Sequence, residues 1–322
     1  MVCEVYPGIY LNEIPLPGNP LKSLNSYILT SKQRNLIIDT GFNLNVCKEQ
    51  FIKGVEKLHI DLCQTDLVLT HMHSDHSGLA DDLNKLGVRT FIGKKDGELM
   101  NFVRISGQSI YKFMNNALTI GDEDFSTFKL EFGKSIKEPL QYIPLTEGDI
   151  IPIGSYLLEV INIPGHTPGH IGLYERNHKL FFCGDQILNE ITPNITFYGY
   201  DQDVLGFYLD SLDIISELNV DYVFPGHRTI IRNHSQRIKE LKMHHQERLS
   251  EIINILGKGK KTVSETASEM QWGVSYNKWE DFPQTQKWFA SGEAMAHLEH
   301  LAFRGIAQRV KDNNGLIYYK IK

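Results

Sequence analysis

Thr70-His71-Met72-His73-Ser74-Asp75-His76-Ser77-Gly78 places four metal-ligand side chains within six residues, directly after the strand-like run Asp66 to Leu69. A chain leaving a strand presents alternate side chains to one face, so His71 and His73 can close on one cation. Asp75 and His76 then turn to a second position beside it. Imidazole and carboxylate suit zinc, with iron and manganese as alternatives. Three later segments put the same residue types on turns after strand-like runs: Pro164-Gly165-His166-Thr167-Pro168-Gly169-His170, Phe182-Cys183-Gly184-Asp185 and Phe224-Pro225-Gly226-His227. Glycine beside each candidate lets backbone approach closely, and loops held by rigid strands make a preorganised site. Two divalent cations about 3.5 to 4 Å apart lower the pKa of a shared water to about 7, which supplies hydroxide without a Ser or Cys nucleophile. The expected chemistry is hydrolysis.

In their order and spacing, the strings HMHSDH, PGHTPGH, GDQ and PGHR resemble the metallo-β-lactamase superfamily of dinuclear metal hydrolases, over residues 1 to about 235. The resemblance implies two divalent metal ions. His71, His73 and His166 would bind one, Asp75, His76 and His227 the other, and Asp185 would bridge both, with Asp75 and Asp185 the catalytic carboxylates. Asp39, in Leu36-Ile37-Ile38-Asp39-Thr40-Gly41, would support the ligands from behind. The implied fold is an αββα sandwich of two mixed sheets with helices outside and the metals at one edge. Di-iron redox relatives place Glu where His73 stands and carry a flavin domain; neither feature is read here.

These side chains need an α/β framework, and the patterning predicts one. Ser26 to Thr30 and Asn35 to Asp39 flank a polar turn and read as a hairpin at the start of a sheet edge. Helical spacing over residues 45–58 separates them from the strand before the first motif. A helix over 79–86, a strand over 89–92 and a substrate-side lid over about 95–140 follow. Strands over 156–163, 171–174 and 179–182, a helix over about 201–218 and a strand over 220–224 complete a catalytic domain of residues 1–235. From His234 to Leu256 a long amphipathic helix opens a second domain, residues 236–322. There a short helix, a helix over 285–304 and two strands around Asn313-Asn314-Gly315 follow in winged-helix order. This tail is similar to the C-terminal winged helix of the metallo-hydrolases related to β-lactamase-like protein 2.

Among 322 residues, 41% hydrophobic and 22% charged, no apolar run approaches the roughly 20 residues of a membrane span, and the N-terminus lacks a signal-peptide pattern. Four scattered cysteines fit buried thiols in a reducing cytoplasm. The net charge of -6 divides unevenly: residues 236–322 hold 14 basic and 10 acidic side chains, leaving 19 and 29 in the first 235. An acidic catalytic domain repels a long polyanion, so a small ester, thioester or lactone is the expected substrate, in the manner of glyoxalase II and the lactonases. The alternative is single-stranded RNA or another phosphodiester held by the basic tail. A DNA-binding regulator would need Arg and Asn on the outward face of helix 285–304, which instead reads as Gln286, Lys287, Ser291, Glu293, Glu299 and Arg304. That module is expected to act as a lid or homodimer surface. His170, Tyr198 and Tyr200 are candidate substrate-binding residues. His59, His178, His234, His244, His245, His297 and His300 are expected at surfaces or helix contacts, and Trp272, Trp279 and Trp288 in the core of the tail or at a domain interface.

Overall fold

The computed structural model describes residues 2–106, 138–273, 278–313 and 315–322. Most of the expected lid lies outside them. A seven-stranded mixed sheet runs in the order β1 (Val2–Tyr6), β2 (Ile9–Pro15), β3 (Ser23–Leu29), β4 (Asn35–Ile38), β5 (Thr65–Leu69), β6 (Arg89–Gly93), β7 (Ile143–Leu145). β1 to β4 are antiparallel neighbours and β4 to β7 parallel ones. A second sheet of five comprises β8 (Ile150–Ile153), β9 (Tyr156–Asn162), β10 (Ile171–Glu175), β11 (Leu180–Gly184) and β12 (Tyr222–Pro225), antiparallel except for the parallel β11–β12 pair. The hairpin expected at a sheet edge is β3–β4, and it lies inside the sheet because β1 and β2 continue the meander beyond it.

Period-two alternation sorts the side chains of the first sheet. Ile28, Ile37, Leu67 and Leu69 face one core with Phe51 and Val55 of α1 (Asn45–Lys57). α2 (Ser74–Ser77) carries ligand candidates, and Leu83 of α3 (Ala80–Lys85) and Met100 of α4 (Lys94–Ser106) join that core. On the opposite face Tyr27, Leu29, Leu36, Ile38 and Val68 meet Leu158, Val160, Leu173, Phe182 and Phe224 of the second sheet. With helices flanking the two sheets, this is the αββα sandwich. Its inner core is pinned where Tyr27 packs edge-on against Phe182 and Phe224, at centroid separations of 5.4 and 5.3 Å.

The described residues divide into two compact units: residues 2–106, 138–193 and 211–238, and residues 194–210, 239–273, 278–313 and 315–322. α5 (Val204–Ser216) and α6 (His234–Leu256) run across the division. The second unit adds α7 (Val263–Glu269), α8 (Gln284–Phe303) and the hairpin of β13 (Ala307–Lys311) with β14 (Ile317–Ile321). Thr262 and Glu265 form a reciprocal cap on α7, each side chain bonding the other's backbone N–H. One expectation for α8 is overturned: Ser291 and Glu299, read as outward-facing, are buried. Glu299 accepts a hydrogen bond from Tyr319 and lies 3.6 Å from Arg309, and burial raises its pKa. Among the described residues, no helix is long and apolar enough to cross a membrane.

Candidate metal centre

Strand ends deliver the candidate ligands. Asp39 follows β4, His71 and His73 follow β5, His166 follows β9, Asp185 follows β11 and His227 follows β12. Ligand groups of open α/β sheets characteristically gather beyond the carboxyl ends of strands. Asp75 and His76 sit on the helical turn α2, which turns them away from the line of His71 and His73. The turn is closed by Ser77 Oγ, which donates to the carbonyls of Met72 and His73.

Three groups of side chains bring their ligand atoms within 4.8 Å of one another: His71, His73 and His166; His71, His76 and Asp185; Asp75, His76 and His227. In the first, His73 Nδ1 lies 3.0 Å from both His71 Nε2 and His166 Nε2. Four ligands tetrahedrally placed about 2.05 Å from zinc would stand about 3.3 Å apart. Asp185 lies between the groups: Oδ1 is 3.4 Å from His76 Nε2, and Oδ2 is 3.4 Å from His227 Nε2 and 3.7 Å from His166 Nε2. Asp75 Oδ2 is 3.4 Å from His227 Nε2. His76 Nε2, His227 Nε2 and Asp185 Oδ1 are buried without a hydrogen bond. Orphaned buried polar atoms are costly, and lone pairs of this kind aimed at a common space suit a cation.

Three of the imidazoles are turned by their other nitrogen. Thr70 Oγ1 donates to Asp39 Oδ2 at 2.7 Å, so it can accept from His71 Nδ1 at 3.1 Å, which leaves His71 Nε2 bare. His76 Nδ1 donates to the same Asp39 oxygen at 2.8 Å, and His227 Nδ1 to the Ser23 carbonyl at 2.7 Å. The His227 loop is fastened to β3 again by Asn25, which donates to the carbonyls of Pro225 and Arg228, and by the Tyr27 hydroxyl, which donates to Pro225. A Cβ on Gly226 would stand 2.5 Å from Asp185 Oδ1 and 2.7 Å from His76 Cε1, so only hydrogen fits there.

Burial, reinforced by neighbouring imidazoles, holds His71 well below the ordinary histidine value and His73 at about 3. Burial acts downward on His76 and His227 too, but Asp185 and the nearby carboxylates outweigh it. His76 stands well above the ordinary value and His227 is pushed up to about 9. Against burial, His76 and His227 hold Asp75 at about 2. His71 and His73 are therefore neutral and ready to ligate, while His76 and His227 must release protons to a metal.

His170, expected at the substrate pocket, is buried, stacks on His71 with ring centroids 4.8 Å apart, and accepts the Asp185 backbone N–H at Nε2. Tyr198 and Tyr200 belong to the second compact unit, where Tyr200 packs against Phe197 and under Arg309. Sequence reasoning missed Asp96. It is fully buried on the first turn of α4, and its carboxylate accepts from Met72 N, Thr167 Oγ1 and Gly169 N at 2.9, 2.6 and 2.6 Å.

The sequence profile described as the metallo-beta-lactamase superfamily matches residues 20–227, and that of the metallo-beta-lactamase-like C-terminal domain matches residues 280–322. The chain belongs to the metallo-beta-lactamase superfamily. Over its whole length it is similar in structure to the metallo-beta-lactamase family protein TTHA1429 of Thermus thermophilus, with a TM-score of 0.84 at 25% identity, covering 99% of this chain and 100% of that one. It is 26% identical over 242 residues to a beta-lactamase-like protein 2 homolog of Caenorhabditis elegans, covering 73% of this chain and 66% of the relative. It is 23% identical over 209 residues to the human acyl-coenzyme A thioesterase MBLAC2, covering 63% and 72%. The chain spans about two thirds or less of the first curated relatives it matches.

Proposed function

We propose that the chain is a metal-dependent hydrolase of thioesters, within the wider class of small esters, thioesters and lactones. The observation that carries it is the convergence of His71, His73, Asp75, His76, His166, Asp185 and His227, with three orphaned buried lone pairs among them. Thioesterase-named relatives support the thioester: human MBLAC2 and an atrochrysone carboxyl ACP thioesterase of Aspergillus chevalieri, 23% identical over 272 residues. On this reading His71, His73 and His166 hold one divalent cation, Asp75, His76 and His227 the other, and Asp185 reaches both. Zinc fits the imidazole-rich set best. When bound, the pair supplies Lewis acidity and hydroxide near neutral pH.

The chain's own residues set the conditions for that attack. Asp39 fixes the tautomers of His71, through Thr70, and of His76. His170 holds the Asp185 backbone in place. Asp75, held at about 2, stays ionised, which lets it orient the hydrogen of an attacking water but leaves it no proton to give a leaving group. A thiolate, with an ordinary thiol pKa of about 8.5, departs with little protonation, whereas an amine or alkoxide needs more help. The site's chemistry thus favours a sulfur leaving group. Residues 236–322 are read as an accessory winged-helix domain. Of the four cysteines expected to be buried, Cys47 and Cys183 are, whereas Cys3 and Cys63 are exposed; all four are free thiols, which fits a reducing cytoplasm.

The test is to load the protein with zinc and compare turnover of an acyl-coenzyme A, an aliphatic lactone, bis(p-nitrophenyl) phosphate and single-stranded RNA, with Asp185→Ala alongside. Thioester turnover should lead, and the variant should lose at least about 10²-fold. RNA cleavage that outpaces the thioester, or an Asp185→Ala protein as active as wild type, overturns the proposal.

A further inference from the structure

We infer that Asp96 is the positioning residue for the His71, His73 and His166 trio, in a role like that of Asp39 behind Thr70 and His76. This rests on the metal reading above. Each of its three hydrogen bonds lands next to a member of that trio or close behind it. Met72 N–H lies between His71 and His73, Thr167 Oγ–H is the neighbour of His166, and Gly169 N–H closes the same loop. One buried carboxylate therefore ties the loop after β5 to the loop after β9. Asp39 does the equivalent from β4, bonding Thr70 and His76. Backbone packing shows how tightly the loop after β9 is drawn against the junction of β6 and α4: a Cβ on Gly169 would stand 2.3 Å from Asp96 N, and one on Gly93 2.3 Å from Gly169 O.

The chemistry of the contact requires a carboxylate. All three described partners are donors, so an acceptor-only group satisfies them together. Asparagine would turn an NH2 toward at least one N–H or O–H and lose that bond. The electrostatics agree in part: burial pushes the Asp96 carboxyl up to about 6, and the bonds from Thr167, Met72 and Gly169 pull it back. Buried groups behind metal ligands typically contribute about 10- to 100-fold to metal affinity.

The experiment compares wild type, Asp96→Asn, Thr167→Val and, as a control, Asp66→Asn. Asp66 pairs with Arg34 and Arg89 from the second position of β5, toward the end opposite the one that leads to His71. Apo-protein melting reports folding, competition against a chromophoric chelator gives the affinity for each equivalent of zinc, and the visible absorption of the cobalt(II)-loaded protein reports ligand geometry. Asp96→Asn is expected to weaken one equivalent about 10- to 100-fold and to alter the cobalt spectrum. Thr167→Val should weaken the same equivalent less, and Asp66→Asn should melt earlier with both affinities and the spectrum intact. Folded Asp96→Asn and Thr167→Val proteins with wild-type affinities and spectrum would overturn the inference. If Asp96→Asn does not fold, Thr167→Val decides alone. A wild-type protein that takes up no metal defeats the metal reading itself, a result separate from unchanged affinities in the variants.

Discussion

At the scale of single residues, the account depends on which lone pair each imidazole turns inward. Asp39 sets this for His71, through Thr70, and for His76. Asp39→Asn keeps the shape but replaces one acceptor oxygen with a donor, so metal affinity should fall by about 10- to 100-fold while the apo protein remains folded. Chelator competition and a melting curve check the two halves of that statement. The seven ligand candidates were legible in the sequence because each lies in a short, glycine-flanked string directly after a strand-like run. Asp96 was not, because its partners lie 24, 71 and 73 residues away and its own neighbourhood, Lys94-Lys95-Asp96-Gly97, carries no motif. The hydrogen bonds that define its role exist only after folding.

At the scale of elements, the strand ends carry the site, and their tolerance is narrow. Gly226→Ala places a methyl against Asp185 Oδ1 and His76 Cε1. Because the crowding comes from two ligand groups, zinc affinity should drop by at least about tenfold, as isothermal titration would show. The parallel strands β4 to β6 were readable from their apolar runs. β8 was not, because Pro152 interrupts Ile150–Ile153, a pattern tolerated at an edge position such as this one. The helices of the tail supply a second test. His297 Nδ1 donates to the Glu293 carbonyl, so its Nε2 accepts from His245 Nδ1 at 3.0 Å. Burial holds His245 well below the ordinary value and His297 at about 4. An unfolded chain binds protons at these histidines from about pH 6.5 downward while the native chain resists, so stability is lost as pH falls from 6.5 toward 4. For His297 alone the loss is on the order of 3 kcal/mol. Urea melts of the apo protein at pH 7 and pH 4.5 should show it, and His297→Gln should flatten the dependence.

At the scale of the whole molecule, the first 235 residues are acidic and the remainder mildly basic, and the seven candidate ligands themselves bring two negative charges. Two divalent cations there reverse the local sign and draw the carbonyl or carboxylate ends of small substrates. Binding to the folded chain must also stabilise it. Zinc at 100 times its dissociation constant adds about 2.7 kcal/mol per site, so a chelator should lower the melting temperature and added zinc restore it. The most direct measurement is zinc bound per folded chain after equilibration with excess metal and removal of the free ion, for wild type and Asp185→Ala. Two equivalents in the wild type, with at least one lost from the variant, is the predicted result. A folded wild-type chain that retains no metal would contradict it.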